Sequence, residues 1–119
     1  MSPRFAVEPA SGPSAAALIN AYYDELRERL GGFDPRLDPR PAEGFEPPDG
    51  AFVVAYQGEQ AIACGGVKRL SPTVVEIKQM FVAAEARRRG VARALLAELE
   101  AIARLCAAET PSGITPHAR

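Results

Sequence analysis

The chain has 119 residues, with 14 Lys and Arg against 15 Asp and Glu, for a net charge of −1 with its one histidine neutral. That length makes a single domain with one hydrophobic core, and 47% apolar with 24% charged residues is ordinary for a soluble globular protein. Balanced charge gives no global attraction to nucleic acid or an anionic membrane; no apolar run approaches the ~18 residues of a membrane span, and Met1-Ser2-Pro3-Arg4 lacks the charged-then-apolar layout of a secretion signal.

Arg4-Phe5-Ala6-Val7 reads as a short first strand, ended by Pro9 and a Ser11-Gly12-Pro13 turn. Ser14 is the expected N-cap of a helix running to Arg29, with Leu18, Ile19, Tyr22, Leu26 and Leu30 at helical spacing and Gly31-Gly32 as the stop. The next 20 residues, 31–50, hold five prolines and four glycines, and their acids (Asp34, Asp38, Glu43, Glu46, Asp49) outnumber Arg36 and Arg40. Such a long irregular loop is either functional or a solvated linker. Its acidity fits a cationic amine nearby, with Phe33 and Phe45 available to line a pocket.

Residues 51–57 and 61–70 read as strands joined around Gly58-Glu59, a hairpin. Gly65-Gly66 inside the second strand predicts a bulge or a close approach by another group. Ser71-Pro72 turns the chain into a third long strand, 73–82, so the meander is antiparallel. The last helix begins near Gly90 and carries Val91, Leu95, Leu99, Ile102 and Cys106 on one stripe, with Leu96 beside it. Four large aliphatics at about 1.5–3 kcal/mol each are enough to dock it on the sheet. After Leu105 the chain has one large aliphatic, two prolines and no alternation, so 106–119 is expected to be an irregular tail after a 1–105 core.

Cys64 and Cys106 both fall on apolar faces, which predicts reduced core residues and a reducing, cytoplasmic compartment. His117, alone among Pro, Thr and Ala, supports neither a metal site nor a His-dependent triad.

The segment from Arg87-Arg88-Arg89-Gly90 to Val91-Ala92-Arg93 joins a strand to an amphipathic helix. First-turn N–H groups of a helix lack internal partners, and the dipole puts partial positive charge there. A glycine lets the backbone come close to a diphosphate, and Ala92 keeps the second approach small. Arg87, Arg88 and Arg89 add long-range attraction and charge-assisted bonds; the plain alternative is three solvated arginines at a helix start. A P-loop is excluded because Gly90 is not followed by Lys and Ser or Thr, and the Rossmann glycine pattern is absent. Few aromatics and a balanced charge argue against nucleic acid.

Val75-Glu76-Ile77-Lys78-Gln79-Met80-Phe81-Val82, its spacing to Arg87-Arg88-Arg89-Gly90-Val91-Ala92, and the Arg93-Ala94-Leu95-Leu96 helix resemble the acetyl-CoA-binding core of the GNAT N-acetyltransferase superfamily. The resemblance extends from about Arg4 to Leu105 and is nearer the small bacterial members than the histone-directed branch. It implies an α/β (α+β) acyl-CoA N-acyltransferase fold: a mainly antiparallel sheet flanked by helices, here lacking the C-terminal strands. It further implies that acetyl-CoA is the co-substrate, with no metal, and that a primary amine of a small molecule or protein is the acceptor. Main-chain groups of Met80, Phe81 and Val82 would bond the pantetheine arm as an added strand. Arg87, Arg88, Arg89, Gly90, Val91, Ala92 and Arg93 would hold the diphosphate.

Glu76 falls where several family members carry a general base. Baring a lysine-like amine of pKa about 10.4 at neutrality costs about 4.6 kcal/mol, and a positioned carboxylate that takes the proton contributes roughly 10²–10⁴-fold. The other reading of Glu76 is an ion pair with Lys78 or Arg69 at the sheet surface. The family's acid tyrosine has no counterpart, since Tyr22, Tyr23 and Tyr56 lie elsewhere. The family pattern stops at Leu105, as in a naturally short protein or after a frameshift. In the family the cofactor arm threads between the fourth strand and the next one. Without that strand the 73–82 edge would be open, which predicts a homo-oligomer covering it. The alternative to an active transferase is a catalytically weak or inactive acyl-CoA-binding module; a ligand-free interaction domain is a third reading.

Overall fold

Two helices sandwich one sheet because the strands are apolar on both faces. A computed structural model describes residues 3–29, 31, 45–107 and 115–118. Its elements are β1 (Arg4–Val7), α1 (Pro13–Arg29), β2 (Gly50–Gln57), β3 (Gln60–Ser71), β4 (Val74–Val82), α2 (Val91–Ala107) and β5 (Thr115–Ala118), with a short 3₁₀ turn at Ala84–Ala86 before α2. The sheet order is β1-β2-β3-β4-β5. The first three pairings are antiparallel and β4–β5 is parallel.

Period-two alternation sends Phe52 and Val54 to the α1 face, where they meet Ala15, Leu18, Cys64 and Phe81. Val53, Ala55, Val67, Val75 and Ile77 go to the other face and pack on Val91, Leu95, Leu99, Ala103 and Cys106 of α2. The continuous buried run at the start of β2 therefore reflects cover on both sides. The α2 stripe runs through Ala103 rather than Ile102, which is only partly buried. Burial raises the Cys64 thiol to about 12, and both cysteines are free.

The helix ends show how local chemistry sets the boundaries. Ala16 N–H donates to Gly12 O at 2.8 Å, so the chain turns into α1 at Gly12, with Pro13 as first helical residue. The expected Ser14 cap is thus two residues late; a proline at that position suits the helix because its missing N–H is one the first turn leaves unpaired. At the far end of α2 the Arg69 guanidinium donates to the Cys106 carbonyl, and its Nε lies 3.8 Å from Asp49 Oδ1. A cation there satisfies an end carbonyl and complements the helix dipole.

The close approach predicted at the paired glycines is present on both faces. A Cβ on Gly65 would lie 2.5 Å from Leu99 Cδ1, and one on Gly66 would strike the Phe45 ring. Phe45 is buried against Phe52 at 5.7 Å between ring centroids, so it is a core residue. Phe33, Leu30 and most of the acidic loop lie outside the described residues.

Two expectations for the C-terminal end need correction. α2 continues through Ala107, and residues 115–118 form a strand against β4, with Val74 opposite Thr115 and Ile77 opposite Ala118. The Thr-Pro-His-Ala string carries no apolar alternation, and side-chain patterning cannot reveal it. Its strand character comes from the backbone groups that the β4 edge offers. Pro116 is tolerated because an edge strand can turn its missing donor outward.

Candidate active site

β4 changes character at its midpoint. Cys64 stands opposite Phe81 and Gly66 opposite Lys78, so Gln79 and Met80 together face the single residue Gly65. This β-bulge holds Gln79 at φ +60°, a conformation that costs a non-glycine residue on the order of 1 kcal/mol or more. β5 stops pairing at Ile77. From Lys78 onward β4 has no strand partner on its outer side among the described residues. Met80, Phe81 and Val82 therefore lie on a strand edge that is open where the bulge redirects it. Val82 O already accepts a hydrogen bond from Arg87 Nε at 2.9 Å.

The turn that follows is built to present backbone donors. Arg88 has φ +66° and Gly90 φ +78°, and Ala94 N–H reaches Gly90 O at 3.1 Å to open α2. Left-handed residues beside helical ones turn successive N–H groups toward one concavity, an anion-binding arrangement. No atom lies within 4 Å of where a Gly90 Cβ would project, so the space above the turn is open. Residues 87–90, Ala92 and Arg93 are exposed, while Val91 is buried and can contribute only its backbone.

Arg87 differs from the other two arginines. Its Nη2 sits 2.5 Å from Glu25 Oε2, and its guanidinium lies 5.6 Å from the Phe81 ring centroid. Glu25 is also 2.6 Å from Arg29. The hydrogen bond from Arg87 is the main reason the Glu25 carboxyl lies below the usual value; desolvation opposes it, and the charges of Arg87 and Arg29 reinforce it. Arg87 is thereby tied to α1, whereas Arg88 and Arg89 point into solvent with no carboxylate partner among the described residues.

Glu76 is 3% exposed and is the one buried charged residue among those described. Val75 and Ile77 face α2, so alternation puts Glu76 on the α1 face with Lys78, whose Nζ lies 3.8 Å from Glu76 Oε1. Lys68 is its cross-strand neighbour. Of the two ion-pair partners foreseen for Glu76, Lys78 is the actual one; Arg69 is spent on α2.

Nearby, Gln79 Nε2 donates to Tyr23 Oη at 3.3 Å, Gln79 O lies 3.7 Å from Cys64 Sγ, and Gln79 Oε1 is buried without a hydrogen-bond partner. Two open cavities flank this side of the sheet. One of about 540 Å³ lies between Leu18, Ala21, Glu25, Phe81 and Glu85. The other, about 320 Å³, lies between Tyr22, Leu26, Met80, Phe81 and Arg87. Glu76 lines neither.

Sequence reasoning missed Glu25, Lys68, Gln79 and Tyr23. Glu25 and Arg87 are 62 positions apart, and no local spacing announces that contact. Counting the hairpin out from the Ser71-Pro72 turn puts Arg69 opposite Glu76; the irregularity between Arg69 and Ser71 shifts the register by one residue and brings Lys68 there instead. The left-handed Gln79 has no sequence signal, because glutamine is not a residue that prefers φ above zero. Among the described residues no group of three His, Cys, Asp or Glu side chains could hold a metal ion, and no helix is long and apolar enough to cross a membrane.

Comparison with solved structures returns the same architecture. A proposed acyl-CoA N-acyltransferase from Klebsiella pneumoniae aligns with TM-score 0.66 and 23% identity, over 86% of this chain and 63% of that one. An acetyltransferase from Streptococcus agalactiae aligns at 0.63 and 16%, over 89% and 68%. A GNAT family acetyltransferase from Elizabethkingia anophelis with acetyl-CoA bound aligns at 0.60 and 18%, over 88% and 60%. At such identities the likeness is one of fold, and the chain spans less than two thirds of the Klebsiella and Elizabethkingia chains. No match was found among individually curated proteins. The sequence model of the Acetyltransferase (GNAT) family matches residues 15–111. That span runs from α1 through the bulged strand and the arginine turn to beyond the end of α2, and by it the chain belongs to the GNAT acetyltransferase family.

Proposed function

We propose that the chain is an acetyl-CoA-dependent N-acetyltransferase acting on a primary amine. The observation that carries this reading is the left-handed turn at Arg88 and Gly90, opening α2 beside the β4 edge that has no strand partner beyond Ile77 among the described residues. A diphosphate fits the turn, which combines first-turn helical N–H groups, open space and two guanidiniums that have no carboxylate partner among the described residues. An extended chain of amides fits the edge, because beyond the bulge and the end of β5 it has no strand partner among the described residues. The Elizabethkingia protein holds acetyl-CoA, and an aminoglycoside 6′-N-acetyltransferase of the same fold (TM-score 0.58, 14% identity) holds coenzyme A.

The residue roles follow. Backbone groups of Met80 and Phe81, and those of Val82 that Arg87 leaves free, hold the pantetheine amides. Backbone N–H groups of Gly90, Val91, Ala92 and Arg93 bind the diphosphate with the Arg88 and Arg89 side chains. Arg87 acts indirectly, by fastening the turn to α1. The acceptor nitrogen bonds to the acetyl carbon, the carbon–sulfur bond breaks, and the sulfur leaves with the electron pair. Glu76, 3.8 Å from Lys78, takes the proton that the nitrogen loses. We place the reaction in the cytoplasm, where free buried Cys64 and Cys106 stay reduced.

Two measurements test the reading. Calorimetric titration with acetyl-CoA should show one site, and thiol release should follow when amines are added. Binding without thiol release from any amine would favour the acyl-CoA-binding module instead; no binding would refute both. Glu76→Gln should lower kcat by roughly 10²–10⁴-fold with cofactor affinity unchanged; a lower melting temperature with kcat retained would make Glu76 a structural ion pair. β5 covers only the Val74 to Ile77 part of the β4 edge, so the homo-oligomer proposed for the rest competes with the cofactor arm. Light scattering with and without acetyl-CoA reads that competition directly.

A further inference from the structure

We propose that the acceptor is an amine carrying a carboxylate close to its nitrogen, as in a free α-amino acid, held by Lys68 and Lys78 on the α1 face of the sheet. The inference rests on the acyl-transfer reading above and names the substrate class for that site.

The local charge count carries the argument. On this face Lys68 stands across from Glu76, and Lys78 lies two residues further along the same strand. Glu76 thus has the Lys78 ammonium 3.8 Å away and Lys68 as its cross-strand neighbour. Its contact with Lys78, 3.8 Å, is long for a charge-assisted hydrogen bond. Lys68 has no carboxylate partner among the described residues; its ammonium rests 5.8 Å from the centroid of the Phe45 ring. Phe45 is itself fixed in the notch that Gly66 provides, so Lys68 lies against a rigid wall. Among the described residues, Lys68, Glu76 and Lys78 together carry a net positive charge where an acceptor would approach Glu76.

A polyamine brought here meets two like charges. An amino acid places its nitrogen toward Glu76 and its carboxylate within reach of the lysines, neutralising both ends. The unpartnered amide oxygen of Gln79, on the residue after Lys78, accepts an N–H from the same nitrogen. A buried acceptor left unsatisfied is costly, so a ligand donor there is worth more than one in water. Lys78 is 28% exposed and marks the open side of the site.

The test measures thiol release from acetyl-CoA with each of the 20 L-amino acids, their matching amides, and spermidine. A charge-assisted bond of about 1.5 kcal/mol or more corresponds to at least about a tenfold preference in kcat/KM, so the best amino acid should exceed its amide by that factor. Lys68→Met and Lys78→Met should each erase most of that preference by raising KM for the acid, with no change in acetyl-CoA affinity; Lys68→Met, which leaves the Glu76–Lys78 pair in place, should change the amide little. Lys78→Arg should keep it, which separates loss of charge from loss of fold. Amides or spermidine acetylated as well as the acids would overturn this inference and leave the transferase reading standing. Thiol release from no acceptor, with acetyl-CoA bound, would remove the transferase reading and this one with it.

Discussion

Removing the charge from Arg88 and Arg89 together, by the double change to Ala, isolates the anion-binding turn from the rest of the fold. Both side chains are exposed and neither has a carboxylate partner among the described residues, so the change breaks no ion pair there. At about 4 Å a pair of unit charges interacts by ~1 kcal/mol in water and ~4 kcal/mol at an effective dielectric of 20. A solvent-facing rim lies near the lower figure, so we take about 1–1.5 kcal/mol for each arginine against a diphosphate. The pair then gives 2–3 kcal/mol, roughly a 30- to 150-fold weaker Kd for acetyl-CoA at about 1.4 kcal/mol per tenfold. The melting temperature of the free protein should stay put. Titration calorimetry at two salt concentrations is the assay, and the wild-type advantage should shrink as salt rises, because exposed charges are screened. Arg87→Ala is the contrasting control: it breaks the bond to Glu25 and the bond to Val82 O, so it should lower the melting temperature. An unchanged Kd in the double variant would refute the assignment of the turn to a diphosphate.

Two further outcomes follow from packing and from charge. Gly65→Ala forces a methyl against Leu99 and should destabilise by about 1–3 kcal/mol in urea unfolding; combined with Leu99→Ala, the total loss should fall well short of the sum of the two single changes. The folded-state pKa of Glu25 lies below its ordinary value of 4.5, so its contribution to stability is present above that pH and is lost as pH falls through the lowered value. Melting of wild type and Glu25→Gln should therefore differ at pH 7 and converge in acid; a constant difference across that range would contradict the Arg87 latch.

The order of elements was legible in the chain because each carries its own local signal. β1, the β2–β3 hairpin around Gly58, and α1 to Arg29 came from apolar periodicity and turn residues, which depend only on neighbours in sequence. The paired glycines announced a close approach because only a missing Cβ makes room for Leu99 and Phe45. The arginine–glycine turn at the start of α2 was equally local.

What the tertiary structure alone decided involves groups far apart in the chain, or backbone without side-chain pattern. Arg87 belongs with Glu25, and Arg69 caps α2, because folding brings α1 and the β3 end beside them. β5 exists through main-chain pairing with β4, which no alternation of side chains encodes. The bulge at Gln79 arises where one more residue is spent on β4 than on β3, a difference visible only once both strands are in register. Sequence determined that this chain has a strand, a basic turn and a helix; only the fold determined which arginines remain free to meet an anion, and that two lysines stand around Glu76.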